Sequence, residues 1–232
     1  MSSPIERVKL DGSGRTRGAR PTPRRDLSQF LVWFDAEFST LELEKAWLLQ
    51  VAMGVTDSDL RWCGPDGPQV WVVRLPPRAT VSPWVRTHLA DLVHQSRGAE
   101  ARGVEEVDQD LTEYLVAALG PIPLAIERRP VLAGNSIHTD WWLIRRFLPR
   151  FAACLHYRHL DVTAFKLEWR RLCPEFDFDK ARRSWVQRFL PAVWRGRRRR
   201  HDALYDLQAS VAELAFYRQH LLRRRPKVPV GE

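Results

Sequence analysis

The chain has 232 residues, 44% of them hydrophobic, which is enough to bury one sizeable core and fits a single domain. No segment reaches the roughly 18 consecutive apolar residues of a membrane span, and the N-terminus lacks the apolar block of a secretory signal, so a soluble, cytoplasmic protein is expected. The net charge is +9 and the pI is near 10.1. This charge suits a polyanionic partner, but solvated basic faces explain it equally well.

The predicted elements follow in chain order. Residues 1–25 mix Gly, Pro, Ser and Arg without apolar periodicity, which predicts a flexible basic arm. The next elements are expected to be strands at 30–34, 48–55 and 70–75, helices at 83–95 and 105–119, and a return strand at 130–133. The remainder are a helix at 139–151, a strand at 160–165 leading into a helix that carries Glu168 and Trp169, and a last helix at 202–222.

Strands that come first and then alternate with helices predict an α/β domain with a mixed sheet, in which three antiparallel strands are joined by parallel ones. The last helix is expected to face the core with a stripe of apolar residues at helical spacing, namely Leu204, Leu207, Val211 and Leu214. The domain is predicted at 26–223, with a short tail at 224–232.

Two carboxylates end the first predicted strand, in "LVWFDAEF". Side chains two residues apart point to the same face of a strand, so Asp35 and Glu37 are expected to converge. The two carboxylates repel each other, and their close approach becomes favourable when a divalent cation lies between them. Taken alone, this pair is more simply explained as two solvated acids at a strand end.

Three further candidates are equally weak when each is taken separately. Asp140 follows a small-residue turn and opens a helix, where an acid also improves capping. His201 and Asp206 lie five residues apart, about 140° of helical rotation, so they converge only if His201 lies at or before the helix start. Such a pair suits a base on a loop and a metal ligand on a helix.

Together these residues, in this order, resemble the signature of the DEDDh 3′-to-5′ exonucleases. The flanking segments are similar to those of the oligoribonuclease family across residues 31–222, above all "LHYRHLDVT" and "SVAELAFYR". The resemblance implies an RNase H-like fold. It also implies a two-metal exonuclease that hydrolyses very short RNA, from dinucleotides to short oligonucleotides, to 5′-mononucleotides.

The resemblance further implies roles for individual residues. Asp35, Glu37, Asp140 and Asp206 would bind two Mg²⁺ or Mn²⁺ ions, and His201 would act as the general base. Leu41 would wedge against the bases. The other implied substrate-binding residues are Ser136, His156, Arg158 and Thr163 around the 5′ phosphate, with Lys166 assisting, and Tyr157. In the family the His-Tyr-Arg segment reaches the neighbouring subunit's site, which implies a homodimer.

Some features leave other functions open. Gln50 stands where the family usually has Glu, and Thr40 replaces a Gly. The segment "PWVRTH" matches its family counterpart only in part, which makes the role of Trp84 uncertain. Residues 173–200 form a longer and more basic stretch than their family counterpart. A DEDDh exonuclease acting on short or single-stranded DNA is the main alternative. A non-catalytic nucleic-acid-binding protein is the second, favoured by the basic arm and by arginine runs at 197–200 and 223–225.

Overall fold

The fold is known from a computed structural model, which describes residues 25–64, 67–190 and 202–221. Its strands are β1 (Leu31–Phe38), β2 (Leu48–Thr56), β3 (Trp62–Cys63), β4 (Gln69–Val72), β5 (Val131–Gly134) and β6 (His159–Asp161). Its helices are α1 (Pro83–His88), α2 (Ala90–Arg97), α3 (Val104–Leu119), α4 (Ile137–Phe147), α5 (Pro149–Ala152), α6 (Val162–Leu172), α7 (Arg183–Phe189) and α8 (Ala203–Leu221). Short 3-10 turns lie at Leu43–Lys45 and Ile126–Arg128.

The strands form one mixed sheet with β1 in its middle. β1 pairs antiparallel with β2 and parallel with β5, and β6 extends the parallel half. β3 and β4 both pair antiparallel with β2. The predicted fold class is therefore confirmed, with β3 as an additional short strand.

The alternation of side chains along β1 separates two cores. Val32, Phe34 and Ala36 pack with α3, α4 and α5 on one face of the sheet. Leu31 and Trp33 point to the other face, where α6, α7 and α8 cover them. Because alternation continues along the strand, Asp35 and Glu37 lie on the α8 face.

Helix α8 is buried on almost every side. The predicted apolar stripe is buried as expected, but so are residues outside the stripe, such as Phe216 and Tyr217. The reason is that α8 lies between the sheet and the helices α6 and α7, and a helix covered on both sides needs apolar residues all round.

Two predicted helices are each interrupted. The helix expected at 83–95 is split into α1 and α2 at Leu89, whose φ of −121° is not helical. The helix expected at 139–151 begins earlier, at Ile137, and α4 ends at Phe147 because Pro149 disfavours helical backbone at Leu148 and cannot continue the hydrogen-bond ladder.

The strand expected at 160–165 is wrong beyond Asp161. The side chain of Asp161 accepts a hydrogen bond from Thr163 N at 2.9 Å, which caps α6 and ends the strand. The short helix α7 was not predicted. In the described part of the chain, none of the helices is long and apolar enough to cross a membrane. The arm before Arg25 and the tail at 224–232 lie outside the described residues.

Candidate active site

Three carboxylates converge between β1 and α8. Asp35 and Glu37 come from the end of β1, and Asp206 comes from the first turn of α8. One carboxylate oxygen from each lies within 4.8 Å of the others, and all three residues are partly exposed. We call these three residues the acidic cluster. Oxygen atoms at this spacing form a donor set that suits a hard divalent cation.

The start of α8 is tied to the strand beside the acidic cluster. Gln50 lies opposite Glu37 in the β1–β2 register, and its Oε1 accepts a hydrogen bond from Ala203 N at 3.0 Å. Asp202 accepts from Leu204 N at 3.0 Å. These contacts satisfy backbone donors that a helix start leaves without partners, and they fix Asp206 relative to β1. Sequence reasoning singled out Gln50 but did not find this capping role.

Asp140 joins the same strand from the other side. It lies in the first turn of α4, is buried, and accepts a hydrogen bond at its Oδ1 from Ala36 N at 3.0 Å. Ala36 stands between the two acids of β1. Asp140 is therefore tethered next to the acidic cluster, although its oxygens lie outside the group of three.

Burial and mutual repulsion raise the pKa values of three acids here, namely Asp35, Glu37 and Asp140. Burial raises the pKa of Asp35 well above its usual range, and repulsion from Asp140, Asp206 and Glu37 adds to the shift. Burial raises the pKa of Glu37 to about 7, with further contributions from Asp206 and Asp202. Burial also raises the pKa of Asp140, although hydrogen bonds from Ala36 and its own backbone oppose this.

The turn between β5 and α4 is held by backbone geometry. A Cβ on Gly134 would lie 2.9 Å from Phe34 O, so only glycine allows β5 to approach β1 this closely. Ser136 adopts a left-handed conformation with φ of 49°. Its backbone N–H donates to Asp161 Oδ1 at 2.9 Å and to Thr163 Oγ1 at 2.8 Å. Ser136 and Thr163 are therefore brought together.

A buried glutamate on α8 stabilises this turn through a hydrogen bond from Asn135. Glu213 of α8 is fully buried, and it accepts hydrogen bonds from Asn135 Nδ2 and Tyr217 Oη, each at 2.9 Å. Lys166 Nζ lies 3.1 Å from Glu213 Oε1. Lys166, which was predicted to assist substrate binding, thus neutralises a buried acid. Asn135 links the turn to α8 through its hydrogen bond with Glu213.

A cavity of about 730 Å³ opens beside Glu37. Its lining includes Leu41, which is 87% exposed, and Trp84, which is 48% exposed. Trp84 stacks on His88 with ring centroids 4.5 Å apart. The structure therefore places Trp84, whose role the sequence left uncertain, in the same cavity as Leu41.

The His-Tyr-Arg segment lies away from the other predicted residues. His156 N donates to Pro130 O at 2.9 Å, at the beginning of β5, whereas Ser136 and Thr163 follow the ends of β5 and β6. Four residues of strand correspond to about 13 Å. Tyr157 and Arg158 are exposed there, and the guanidinium lies 5.2 Å from the centroid of the tyrosine ring.

Two curated oligoribonucleases are similar to this chain over most of its length. No family model matches the chain. The oligoribonuclease of Ralstonia nicotianae is 30% identical over 241 residues, covering 100% of this chain and 96% of the relative. The mitochondrial oligoribonuclease of Homo sapiens is 29% identical over 217 residues, covering 91% of this chain and 81% of the relative.

The chain belongs to the oligoribonuclease family. It is therefore a nuclease, a hydrolase of nucleic acids.

Solved structures show the same fold at low sequence identity. E. coli exonuclease I, in complex with a 5cy-dT13 oligonucleotide, aligns over 84% of this chain with a TM-score of 0.61 and 13% identity. Exonuclease I from Methylocaldum szegediense aligns over 85% with a TM-score of 0.58 and 18% identity. The chain spans 42% and 41% of the lengths of these two proteins.

One predicted member of the oligoribonuclease-like site lies outside the described residues, namely His201. Helix α8 begins at Ala203, so His201 precedes the helix start in the sequence. The convergence of His201 with Asp206 therefore stays a prediction.

The raised pKa of Glu37 predicts how the metal-free protein responds to pH. Between the usual value of 4.5 and about 7, the folded chain holds a proton that the unfolded chain has lost, so stability falls as pH rises through this window. We expect metal-free protein to lose up to about 3 kcal/mol of unfolding free energy between pH 5 and 8. Urea denaturation in chelator measures this.

The comparison is with Glu37→Gln, which should lose less stability over the same window, and with Glu42→Gln as a control at an exposed acid. In the wild-type protein, saturating Mn²⁺ at pH 8 should restore the unfolding free energy that is lost between pH 5 and 8. If the unfolding free energy depends on pH identically in wild type and Glu37→Gln, the raised pKa of Glu37 is contradicted.

Proposed function

We propose that the chain is a metal-dependent 3′-to-5′ exonuclease that hydrolyses very short RNA to 5′-mononucleotides. The observation that carries this proposal is the acidic cluster, with Asp140 bound to the strand segment between Asp35 and Glu37. Membership of the oligoribonuclease family supports the substrate class. In this proposal residues 26–223 are the catalytic domain.

The four acids would hold two Mg²⁺ or Mn²⁺ ions. Their carboxylate oxygens are the ligands that these cations prefer. When bound, the two ions supply an activated water and stabilise the attacking and leaving oxygens of an in-line displacement. The protein contributes rigidity, because β1 fixes Asp35 and Glu37 while Gln50 and the docking of α8 fix Asp206.

His201 is the proposed general base. An imidazole can accept a proton from the attacking water near neutral pH without serving as a metal ligand. Asp202 caps the first turn of α8, and Asp206 lies within that turn. In this proposal His201 acts from the segment before the helix.

The cavity beside Glu37 suits the bases of a short substrate. Leu41 and Trp84 offer exposed apolar and aromatic surface there, and stacking on an aromatic ring tolerates every base. The Ser136 and Thr163 hydroxyls lie 3.2 Å apart, where α4 and α6 begin. They are suited to bind the 5′ phosphate.

The remaining proposed phosphate contacts come from a second copy of the chain. His156, Tyr157 and Arg158 lie at the opposite end of β5 from Ser136, so one protomer does not bring the two groups together. The homodimer of the family would solve this, with Arg158 of one copy completing the pocket of the other. A guanidinium suits a terminal phosphate.

Short DNA is the second candidate substrate. It is favoured by the shared fold with exonuclease I, whose structure contains a dT13 oligonucleotide. Cations held by the four acids would act on the phosphodiester, which RNA and DNA share. Initial rates on matched RNA and DNA dinucleotides separate the two candidates.

The first test of this function concerns the catalytic residues. Asp206→Asn or Asp35→Asn should abolish hydrolysis of a 5′-phosphorylated RNA dinucleotide while leaving the far-UV spectrum unchanged, because each loses a ligand charge but keeps its size. His201→Ala should greatly lower the rate and preserve Mn²⁺ affinity in calorimetry. Asp91→Asn, at an exposed acid of α2, is the control. Wild-type turnover by Asp206→Asn would reject the site.

A second test concerns the dimer. Arg158→Ala should lower kcat/KM on the dinucleotide by about 10- to 100-fold, as expected for a lost charge-assisted contact. If Arg158 acts in the partner's site, mixing Arg158→Ala with Asp206→Asn regenerates one intact site in each mixed dimer. About one quarter of wild-type activity should return after subunit exchange. A wild-type monomer in light scattering, or no recovery in proven mixed dimers, would contradict action in the partner's site.

A third test concerns substrate length. A pocket that holds the 5′ phosphate at a fixed distance from the acidic cluster gains most from a substrate that reaches both, so longer RNA loses contacts. The initial rate of cleavage of end-labelled RNA should fall from two to three, five and seven nucleotides. In Arg158→Ala the initial rate should depend much less on length. Rates that rise with length in both proteins would mean that the substrate is not a dinucleotide.

A further inference from the structure

A lysine from outside the predicted site lies against the acidic cluster. Lys180 is in the segment between α6 and α7, within the long, basic stretch at 173–200. Its Nζ is 3.5 Å from Asp206 Oδ1, and its side chain is only 32% exposed. Sequence reasoning could not find it, because one more lysine in a basic stretch carries no signal of its own.

The backbone of Lys180 is fixed at the first turn of α8. Tyr205, the neighbour of Asp206, is buried and donates a hydrogen bond from its hydroxyl to Lys180 O at 2.8 Å. On the other side, Asp179 Oδ1 accepts from Ala181 N at 2.9 Å and closes a turn around the lysine. The ammonium therefore extends from an anchored position on a flexible four-carbon stem.

The charge of Lys180 acts on more than its ion-pair partner. It lowers the pKa values of both Asp35 and Glu37, and so opposes the effects of burial and repulsion there. A single ammonium thus bears on all three members of the acidic cluster.

We propose that Lys180 is the resident counter-cation of the acidic cluster, and that its ammonium must leave Asp206 before a divalent cation binds there. The proposal rests on the metal-binding role in the proposed function. A divalent cation and an ammonium repel each other at one carboxylate oxygen, so they exclude each other. Lys180 then stabilises the metal-free fold and weakens metal binding. Because its backbone is anchored, the displaced ammonium remains next to the site.

Calorimetric titration with Mn²⁺ alone tests the competition. Lys180→Met keeps the length of the stem and removes the charge, and it should bind Mn²⁺ about fivefold more tightly than wild type, the size expected for a partly exposed ion pair. Lys180→Gln is a second neutral variant with the same expectation. Arg182→Met is the matched control, because it removes one charge from the same segment at a residue paired with Asp179.

A second substitution, Asp206→Asn, tests whether the gain in Mn²⁺ affinity acts through the Asp206 carboxylate. In that background Lys180→Met should produce no gain in Mn²⁺ affinity, because the shared carboxylate is gone. Equal or weaker Mn²⁺ binding by both neutral variants in the wild-type background would overturn the proposal. A gain of the same size in Arg182→Met would also overturn it, since the effect would then reflect net charge.

Thermal melting in chelator gives a readout that does not depend on hydrolysis. Without metal, Lys180→Met and Lys180→Gln should melt at a lower temperature than Arg182→Met, and Mn²⁺ should raise their Tm by more. If wild type binds no Mn²⁺, the proposed function fails. The melting comparison in chelator still decides whether Lys180 neutralises the acidic cluster, and equal Tm values there would refute that role.

Discussion

Like charges are forced together at the end of β1, and the docking of α8 holds them there. Two carboxylates share one face of the central strand, and the helix adds a third within 4.8 Å. Each of these groups would be more stable in water and far from the others. The apolar contacts of Trp33 and Leu31 with α8 stabilise the arrangement, because they bury a continuous core directly behind the charged end of the strand.

The same helix also positions the second part of the site. Asp206 and Glu213 are seven residues apart, about two turns, so both face the sheet from one side of α8. Glu213 binds Asn135 and thereby holds the turn with Ser136, while Asp206 joins the acidic cluster. A small shift of α8 would therefore move Asp206 and the proposed phosphate pocket together, which keeps the distance between them constant.

Local patterns in the sequence predicted only part of the acidic cluster. Strand alternation placed Asp35 and Glu37 on one face, whereas Asp140 and Asp206 were assigned by the resemblance to the DEDDh signature. The contacts of Gln50 with Ala203 and of Lys180 with Asp206 join residues that are distant in the chain, and no local pattern encodes them. The break at Leu89 was missed for a similar reason, since apolar periodicity continues across it while the backbone turns.

The position of Arg158 bears on how the proposed enzyme would select substrates by length. In the proposed mechanism the acidic cluster would act on any phosphodiester that reaches it, so it would set the reaction but no length. Within one chain, the strand β5 separates the His-Tyr-Arg segment from the Ser136 turn, and a rigid strand cannot shorten. If the second copy supplies Arg158, the span between cleavage and phosphate binding is fixed by how two protomers dock. Length preference is then a property of the dimer interface, and mutations there should alter it without touching the chemistry at Asp206.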